Sequence, residues 1–256
     1  LMIKPLFLMD LDDTLLQTAR KMPADMPRQV AALDKHGQPL SFTNPKQQAF
    51  IDWLLACADV VPVTARSVDA FKRVQIPFKQ GAICAHGAVI LQANGELDKN
   101  WHALMQQRLN PYLNLLEDIQ KTLASIGQQL NLTLRTWLVE EQGLACYALA
   151  KQSGHHDQVL ADVEQKLKQQ FDLKDFYIHR NANNLAILPK VLHKQFAVEY
   201  WLQQDEKHHG QRPILGFGDS LSDIDFLKIC DWWATPKQGQ LAQAVYELLA
   251  EDVLLP

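Results

Sequence analysis

Pro5-Leu6-Phe7-Leu8-Met9, running into Asp10-Leu11-Asp12-Asp13-Thr14, is the stretch on which the fold turns. The apolar run shows no alternation with polar residues. That is the pattern of a strand covered on both faces, as in a parallel sheet. It stops abruptly at Asp10. The arrangement recurs twice: Ala58 to Val63 ends at Thr64, and Arg212 to Phe217 ends at Gly218-Asp219. Lys194 lies just beyond a further run that ends near Leu188. In a parallel sheet the carboxyl ends of the strands share one edge, where open α/β folds bind ligands. Asp10, Thr64, Lys194 and Asp219 are therefore expected to converge, although they are far apart in sequence.

Outward from this run, a helix is expected from about Lys46 to Cys57, and Ser67 reads as the cap of another. Ala82 to Ala85 reads as a short strand. The stretch from Gln17 to Pro45 contains Pro23, Pro27 and Pro39 and reads as an extra loop or small helix. From Gly87 to Ala186 the pattern changes. Leu109, Leu113, Leu116, Ile119, Leu123 and Ile126 recur at helical spacing, as do Val159, Leu160, Val163, Leu167 and Phe171. Leu132 to Val139 and Leu144 to Leu149 read as paired strands, with further strands near Phe176 and Leu185. Two helices on one face of a mostly antiparallel sheet fit best. After Leu188 come the Arg212 strand, a helix from Ile224 to Ile229, a short Trp232 to Ala234 strand and a closing helix from Gln240 to Leu249. The expected fold class is α/β: a discontinuous Rossmann-like parallel-sheet core of residues 1–86 and 187–256, split by an inserted α+β domain, residues 87–186.

Composition narrows the partners. With 25 Lys plus Arg against 29 Asp plus Glu, the net charge is −4, so no nucleic-acid footprint and no polybasic membrane patch is expected. No apolar run is long enough to span a bilayer. The N-terminus does not read as a signal peptide, and Met2 reads as the natural start. Cys57, Cys84, Cys146 and Cys230 are scattered and read as core filler in a reduced, cytoplasmic protein.

Asp10, Asp12 and Asp13 together with Asp219 and Asp223 would gather many acids in one cleft, which is unfavourable without a cation. Hard oxygen ligands select Mg²⁺, and Mg²⁺ shares its shell with phosphate. A phosphoryl group needs positive charge, a hydroxyl donor and an in-line nucleophile, which Lys194, Thr64 and one aspartate supply. Lys194 stands where a helix through Ala197, Val198 and Trp201 begins. A cation there costs roughly 0.3–1 kcal/mol, and nearby carboxylates would reverse that sign. Lys190 is the competing candidate.

Four motifs, in order, now resemble a known family. Asp10-Leu11-Asp12-Asp13-Thr14, Thr64-Ala65-Arg66, Lys194 with Ala197 and Val198, and Gly218-Asp219-Ser220 with Asp223 are similar to motifs one to four of the haloacid dehalogenase-like (HAD) superfamily. The insertion between the second and third motifs looks like the cap of its class IIB, Cof-type branch, which includes sugar-phosphate phosphatases, and His86-Gly87-Ala88 resembles the entry to that cap. Ala65 stands where this branch commonly has Gly, and Ser222 where Asn is frequent. The resemblance implies that Asp10 is the nucleophile, that Asp12 is the general acid and base, and that Thr64 and Lys194 hold the phosphoryl group. It further implies Mg²⁺ on Asp10, the Asp12 carbonyl and Asp219, with Asp223 in the same shell or just behind it. Dehalogenases and ion-pumping ATPases do not carry an acid at the position of Asp12. The implied activity is hydrolysis of a small phosphorylated metabolite, most simply a phosphosugar. A phosphomutase on the same core and a sugar-phosphate sensor are the alternatives, while a receiver domain is argued against by Asp12 and the insertion.

Several residues keep two readings. Arg66 reads either as a contact to substrate phosphate or as part of a helix start, and Asp223 either as a ligand or as a first-turn acid. His155-His156 and His208-His209 read as solvated loops rather than metal ligands, and Trp232-Trp233 as packing at the last core strand. In the insertion, Arg135, His179, Arg180, Asn181 and Asn183 are candidate substrate contacts without assigned roles.

Overall fold

The computed structural model describes residues 3–153, 157–181 and 183–252, so Met2 and His155-His156 lie outside the described residues. The first strand, β1 (Leu6–Met9), is buried along its whole length. After it, β2 (Gln17–Thr18), β3 (Gln29–Leu33) and β4 (Pro39–Thr43) form an antiparallel sheet in the order β2-β4-β3. Between Gln17 and Pro45 the expected small helix is present as one 3₁₀ turn, Ala19–Lys21, but the rest is this small sheet rather than a loop. Pro23 and Pro27 fall between strands and Pro39 opens one, positions where a missing N–H breaks no ladder.

Helix α1 (Pro45–Cys57) begins at a capping box: Gln47 N donates to Asn44 Oδ1 at 2.9 Å and Asn44 N to Gln47 Oε1 at 3.0 Å. It leads to β5 (Asp59–Pro62) and then to α2 (Val68–Lys72), where Ala70 N donates to Ser67 Oγ as the Ser67 cap requires. Next, β6 (Ala82–Cys84) pairs antiparallel with β7 (Val89–Leu91) and is bridged to the β5 side at Val63–Ile83. The chain continues through α3 (Lys99–Leu109), α4 (Leu113–Gln129), β8 (Leu134–Glu141), β9 (Leu144–Gln152), α5 (Asp157–Gln170), β10 (Phe176–Asn181) and β11 (Asn184–Pro189). It ends with α6 (Lys194–His209), β12 (Ile214–Phe217), α7 (Ile224–Leu227), β13 (Trp232–Ala234) and α8 (Gln240–Asp252).

Two compact units emerge, one of residues up to Asp98 and from Lys194 onward, the other Lys99–His193. Because β7 is tied to β6, the division falls after Asp98 rather than at Gly87. In the first unit the parallel sheet runs β13-β12-β1-β5. Leu6 faces Ile214 on one side and Asp59 on the other, so β1 is central. Leu6, Leu8 and Met9 are fully buried, each stabilising the fold by about 1.5–3 kcal/mol. In the second unit the antiparallel sheet runs β10-β11-β9-β8. Leu116, Ile119, Leu123 and Ile126 of α4 and Leu160, Val163 and Leu167 of α5 share a core with Ala148, Ala150, Leu185 and Ile187. Those are the apolar stripes read from the helical spacing, except that Leu109 closes α3 and Leu113, which opens α4, is 40% exposed.

Three readings are corrected here. Trp232 and Trp233 are 61% and 46% exposed, because β13 is an edge strand paired on one side. His208 and His209 close α6 rather than lying in a loop, with their Nδ1 atoms against Gln204 O and Asp205 Oδ1. Cys84, Cys146 and Cys230 are buried as core filler, whereas Cys57 is exposed. Among the described residues no helix is long and apolar enough to cross a membrane.

At the amino end of the sheet, Arg212 ties three elements together. Its guanidinium grips both oxygens of Asp205 on α6, Oδ2 of Asp59 on β5, and the carbonyl of Lys4 ahead of β1. The Arg212, Asp205 and Asp59 side chains are 4%, 8% and 13% exposed. Replacing one partner of such a cluster strands buried charge. Arg212→Met is expected to lower the unfolding free energy by about 3–5 kcal/mol in urea titration; a loss under about 1 kcal/mol, the worth of a surface pair, would contradict this role.

Candidate active site

Each site residue is delivered by the end of an element. β1 ends at Asp10, whose N–H donates to Phe217 O at 2.9 Å, so the neighbouring strand holds it at the rim. The chain then turns back through Asp13 at φ 64°. Asp, with its short polar side chain, tolerates this left-handed conformation better than most residues, and Lys21 pairs with its carboxylate. The turn brings Thr14 Oγ1 to 3.1 Å from Asp10 Oδ2 as a donor.

Lys194 is the first residue of α6 and is 5% exposed. Its Nζ donates to Asp10 Oδ1 at 2.9 Å and to Asp223 Oδ1 at 2.7 Å. The two carboxylates thus offset the unfavourable position of a cation at a helix start. Lys190 is exposed, which decides between the two lysines. Asp223 is fully buried, and its other oxygen accepts from Ser220 N at 3.0 Å and Ser220 Oγ at 2.8 Å. Asp219 follows β12 on the same rim, and carboxylate oxygens of Asp10, Asp219 and Asp223 lie within 4.8 Å of one another.

Glycines make room for these acids. A Cβ on Gly218 would lie 2.7 Å from Asp223 Cβ, and one on Gly239 would lie 2.9 Å from Asp219 Cβ. Thr64 is 1% exposed, its N–H bound to Ile83 O at 2.8 Å. Its Oγ1 accepts from Arg66 N at 3.1 Å, which leaves the hydroxyl hydrogen available to donate. Asp12 has a side chain that is 48% exposed. Arg66 forks onto it, with Nε and Nη2 each 2.7 Å from a carboxylate oxygen.

The electrostatics follow from crowding. Burial pushes the Asp10 carboxyl up to about 8; the charges of Asp223 and Asp12 add to this and Lys194 opposes it. Burial and the charges of Asp223 and Asp13 push Asp219 up to about 7. Burial acts to raise Asp223 too, but Lys194 and Ser220 hold it below the usual carboxylate range. Lys194 stays charged: burial works against it and the two aspartates outweigh burial. A positive group opposite Asp10 and Asp219 would relieve this strain, and the all-oxygen donor set suits a hard divalent cation.

Asp10, Lys194, Asp219 and Asp223 are brought together, and Thr64 and Asp12 follow strands of the parallel sheet. The route for Lys194 is corrected: the run ending near Leu188 is β11, an antiparallel strand of the other unit, and Lys194 reaches the site as the first residue of α6. Thr14, Ser220 and Gly239 were missed as contributors. Thr14 stands inside the first motif, four residues from Asp10, and Ser220 stands inside the fourth. Gly239 carried no local signal.

The family model for sucrose-6F-phosphate phosphohydrolase matches residues 3–232. No curated protein is similar enough in sequence to match. Among solved structures, the C. albicans trehalose-6-phosphate phosphatase C-terminal domain superposes with TM-score 0.58 at 14% identity, over 88% of this chain and 73% of that one. The Synechocystis sp. PCC6803 sucrose-phosphatase, solved with sucrose and phosphate, gives 0.51 at 16% identity over 100% of both chains. A haloacid dehalogenase-like hydrolase from Bacteroides thetaiotaomicron gives 0.51 at 12% identity, over 96% and 99%. These likenesses establish the HAD fold. The family match agrees with the four motifs and the class IIB branch: this chain belongs to the sucrose-6F-phosphate phosphohydrolase family of HAD-like phosphatases.

Proposed function

We propose that the chain hydrolyses the phosphate ester of a small sugar, with Mg²⁺, through a phosphoryl group carried on Asp10. The observation that supports this most is the Lys194 ammonium held between Asp10 and Asp223, with Asp219 alongside. A lysine that merely filled space would not be buried against two acids.

One Asp10 oxygen attacks phosphorus while the bond to the sugar oxygen breaks and its electron pair goes to that oxygen. Asp12 delivers a proton there, completing the alcohol. Water then attacks the same phosphorus and gives a proton to Asp12; the Asp10–phosphorus bond breaks, releasing inorganic phosphate and the Asp10 carboxylate. Thr64 donates to a phosphoryl oxygen, Lys194 offsets the charge of Asp10 and phosphate, and Thr14 orients the nucleophile. Asp10, Asp219 and the Asp12 carbonyl would hold Mg²⁺, with Asp223, which meets Lys194 and Ser220, in the same shell or just behind it. When bound, the ion supplies further charge neutralisation of the phosphoryl oxygens.

The sugar assignment draws on the family and on the neighbour solved with sucrose and phosphate. The inserted unit, Lys99–His193, is assigned the role of a substrate-selecting cap. The cytoplasm, a reducing compartment, suits the four free cysteines.

Phosphate release is the direct test, with sucrose 6-phosphate, trehalose 6-phosphate and glucose 6-phosphate as substrates. Asp10→Asn is expected to abolish it, and measurable turnover in that variant would remove the nucleophile. Stripping with EDTA is expected to stop release and Mg²⁺ to restore it; full activity in EDTA would contradict the metal. Gly218→Ala pushes a methyl against Asp223 and is expected to lower kcat about 100-fold, whereas near-native kcat would show that Asp223 need not stay in place.

A further inference from the structure

The small sheet of β2, β3 and β4 places a buried hydroxyl on an arginine, and nothing in the chemistry above accounts for it. Along β4 the burial alternates, with Ser41 and Thr43 inward and Leu40 and Phe42 more exposed. Ser41 is 1% exposed, and a buried polar side chain is informative where a buried apolar one is not. The register is irregular at this point: Phe42 pairs with Val30 and Ser41 with Ala32, leaving Ala31 as an extra residue in β3. Bulges of this kind re-aim side chains.

Arg66 Nη2 donates to Ser41 Oγ at 3.1 Å. The same guanidinium forks onto both oxygens of Asp12. Arg66 is 10% exposed at its side chain, whereas Asp12 is 48% exposed. An exposed carboxylate is therefore gripped by a largely buried arginine, which is itself held by the small sheet. A bidentate fork fixes the plane of the carboxylate as well as its position.

We propose that Ser41 and Arg66 are positioning residues: they aim the Asp12 carboxyl at the departing sugar oxygen, and Arg66 is not a contact for substrate phosphate. This rests on the phosphatase reading. In the first step the phosphorus–oxygen bond breaks with its electron pair on the sugar oxygen, and the Asp12 proton goes to that atom. Transfer over such a short range is sensitive to placement, and misplacement by an ångström costs about 100-fold.

The test compares kcat/KM, which covers events up to departure of the leaving group, for two kinds of substrate. One is whichever of sucrose 6-phosphate, trehalose 6-phosphate and glucose 6-phosphate the unaltered chain turns over. The other is p-nitrophenyl phosphate, whose leaving group departs without a proton. Arg66→Lys keeps the charge but loses the fork. It is expected to lower kcat/KM roughly 10- to 100-fold for the sugar phosphate and less than about twofold for the aryl phosphate. Ser41→Ala, nearly isosteric and so the safer variant for folding, is expected to act in the same direction. In the double variant it is expected to add nothing, because it works through Arg66. Equal losses on both substrates would show that Arg66 meets the phosphate and would overturn the proposal. Additive effects would overturn the link through Ser41. No turnover of any substrate by the unaltered chain would remove the phosphatase reading, and this proposal with it.

Discussion

One buried ammonium organises the site. Lys194 Nζ sits between Asp10 and Asp223, all three nearly inaccessible to water. Alone, any one of these charges would be too costly to bury. Together they are tolerable only if β1, α6 and the turn after β12 deliver them to one point. The parallel sheet does this, since β1 is central and β12 lies beside it. Gly218 and Gly239 then admit the acids where a side chain would collide. The fold and the site therefore share one constraint: the strand register that buries Leu6, Leu8 and Met9 also fixes where Asp10 ends up.

Lys194 leaves Asp10 and Asp219 only partly compensated. Both carboxyls are pushed upward, to about 8 and about 7, whereas Asp223 is held low by Lys194 and Ser220. Two of the three acids thus still lack positive charge and the third has all it needs. On the proposed reading, this division separates the groups that would meet a cation and a phosphoryl group from Asp223, which pairs with the lysine and Ser220. Preorganised charge of this kind lowers the cost of building up charge in a transition state.

Much of this was legible in the sequence because its signals are local. Unalternated apolar runs marked the buried parallel strands β1, β5 and β12, and Asp10, Thr64 and Asp219 after them marked the rim; the run ahead of Lys194 misled, since it is the antiparallel strand β11. Lys194 could be preferred over Lys190 from its place at a helix start, which only nearby acids would excuse. Residues that act through distant partners were harder to read. Ser41 is an unremarkable serine until the fold sets it against Arg66, and Gly239 matters only through the side chain of Asp219. The small sheet was hidden because proline argues against a strand interior but not against its ends. Trp232 and Trp233 misled for a related reason: apolar residues on a short edge strand look the same in sequence as those on a covered one.

The proposed nucleophile, Asp10, would leave a chemical trace. Rapid quenching in acid during turnover of a sugar phosphate, followed by proteolysis and mass spectrometry, reports where phosphoryl groups reside on the chain. A phosphorylated peptide with the group on Asp10, formed and lost within the turnover time, is the predicted result. Phosphate release with Asp10 unmodified throughout, or with the group on another residue, would contradict it.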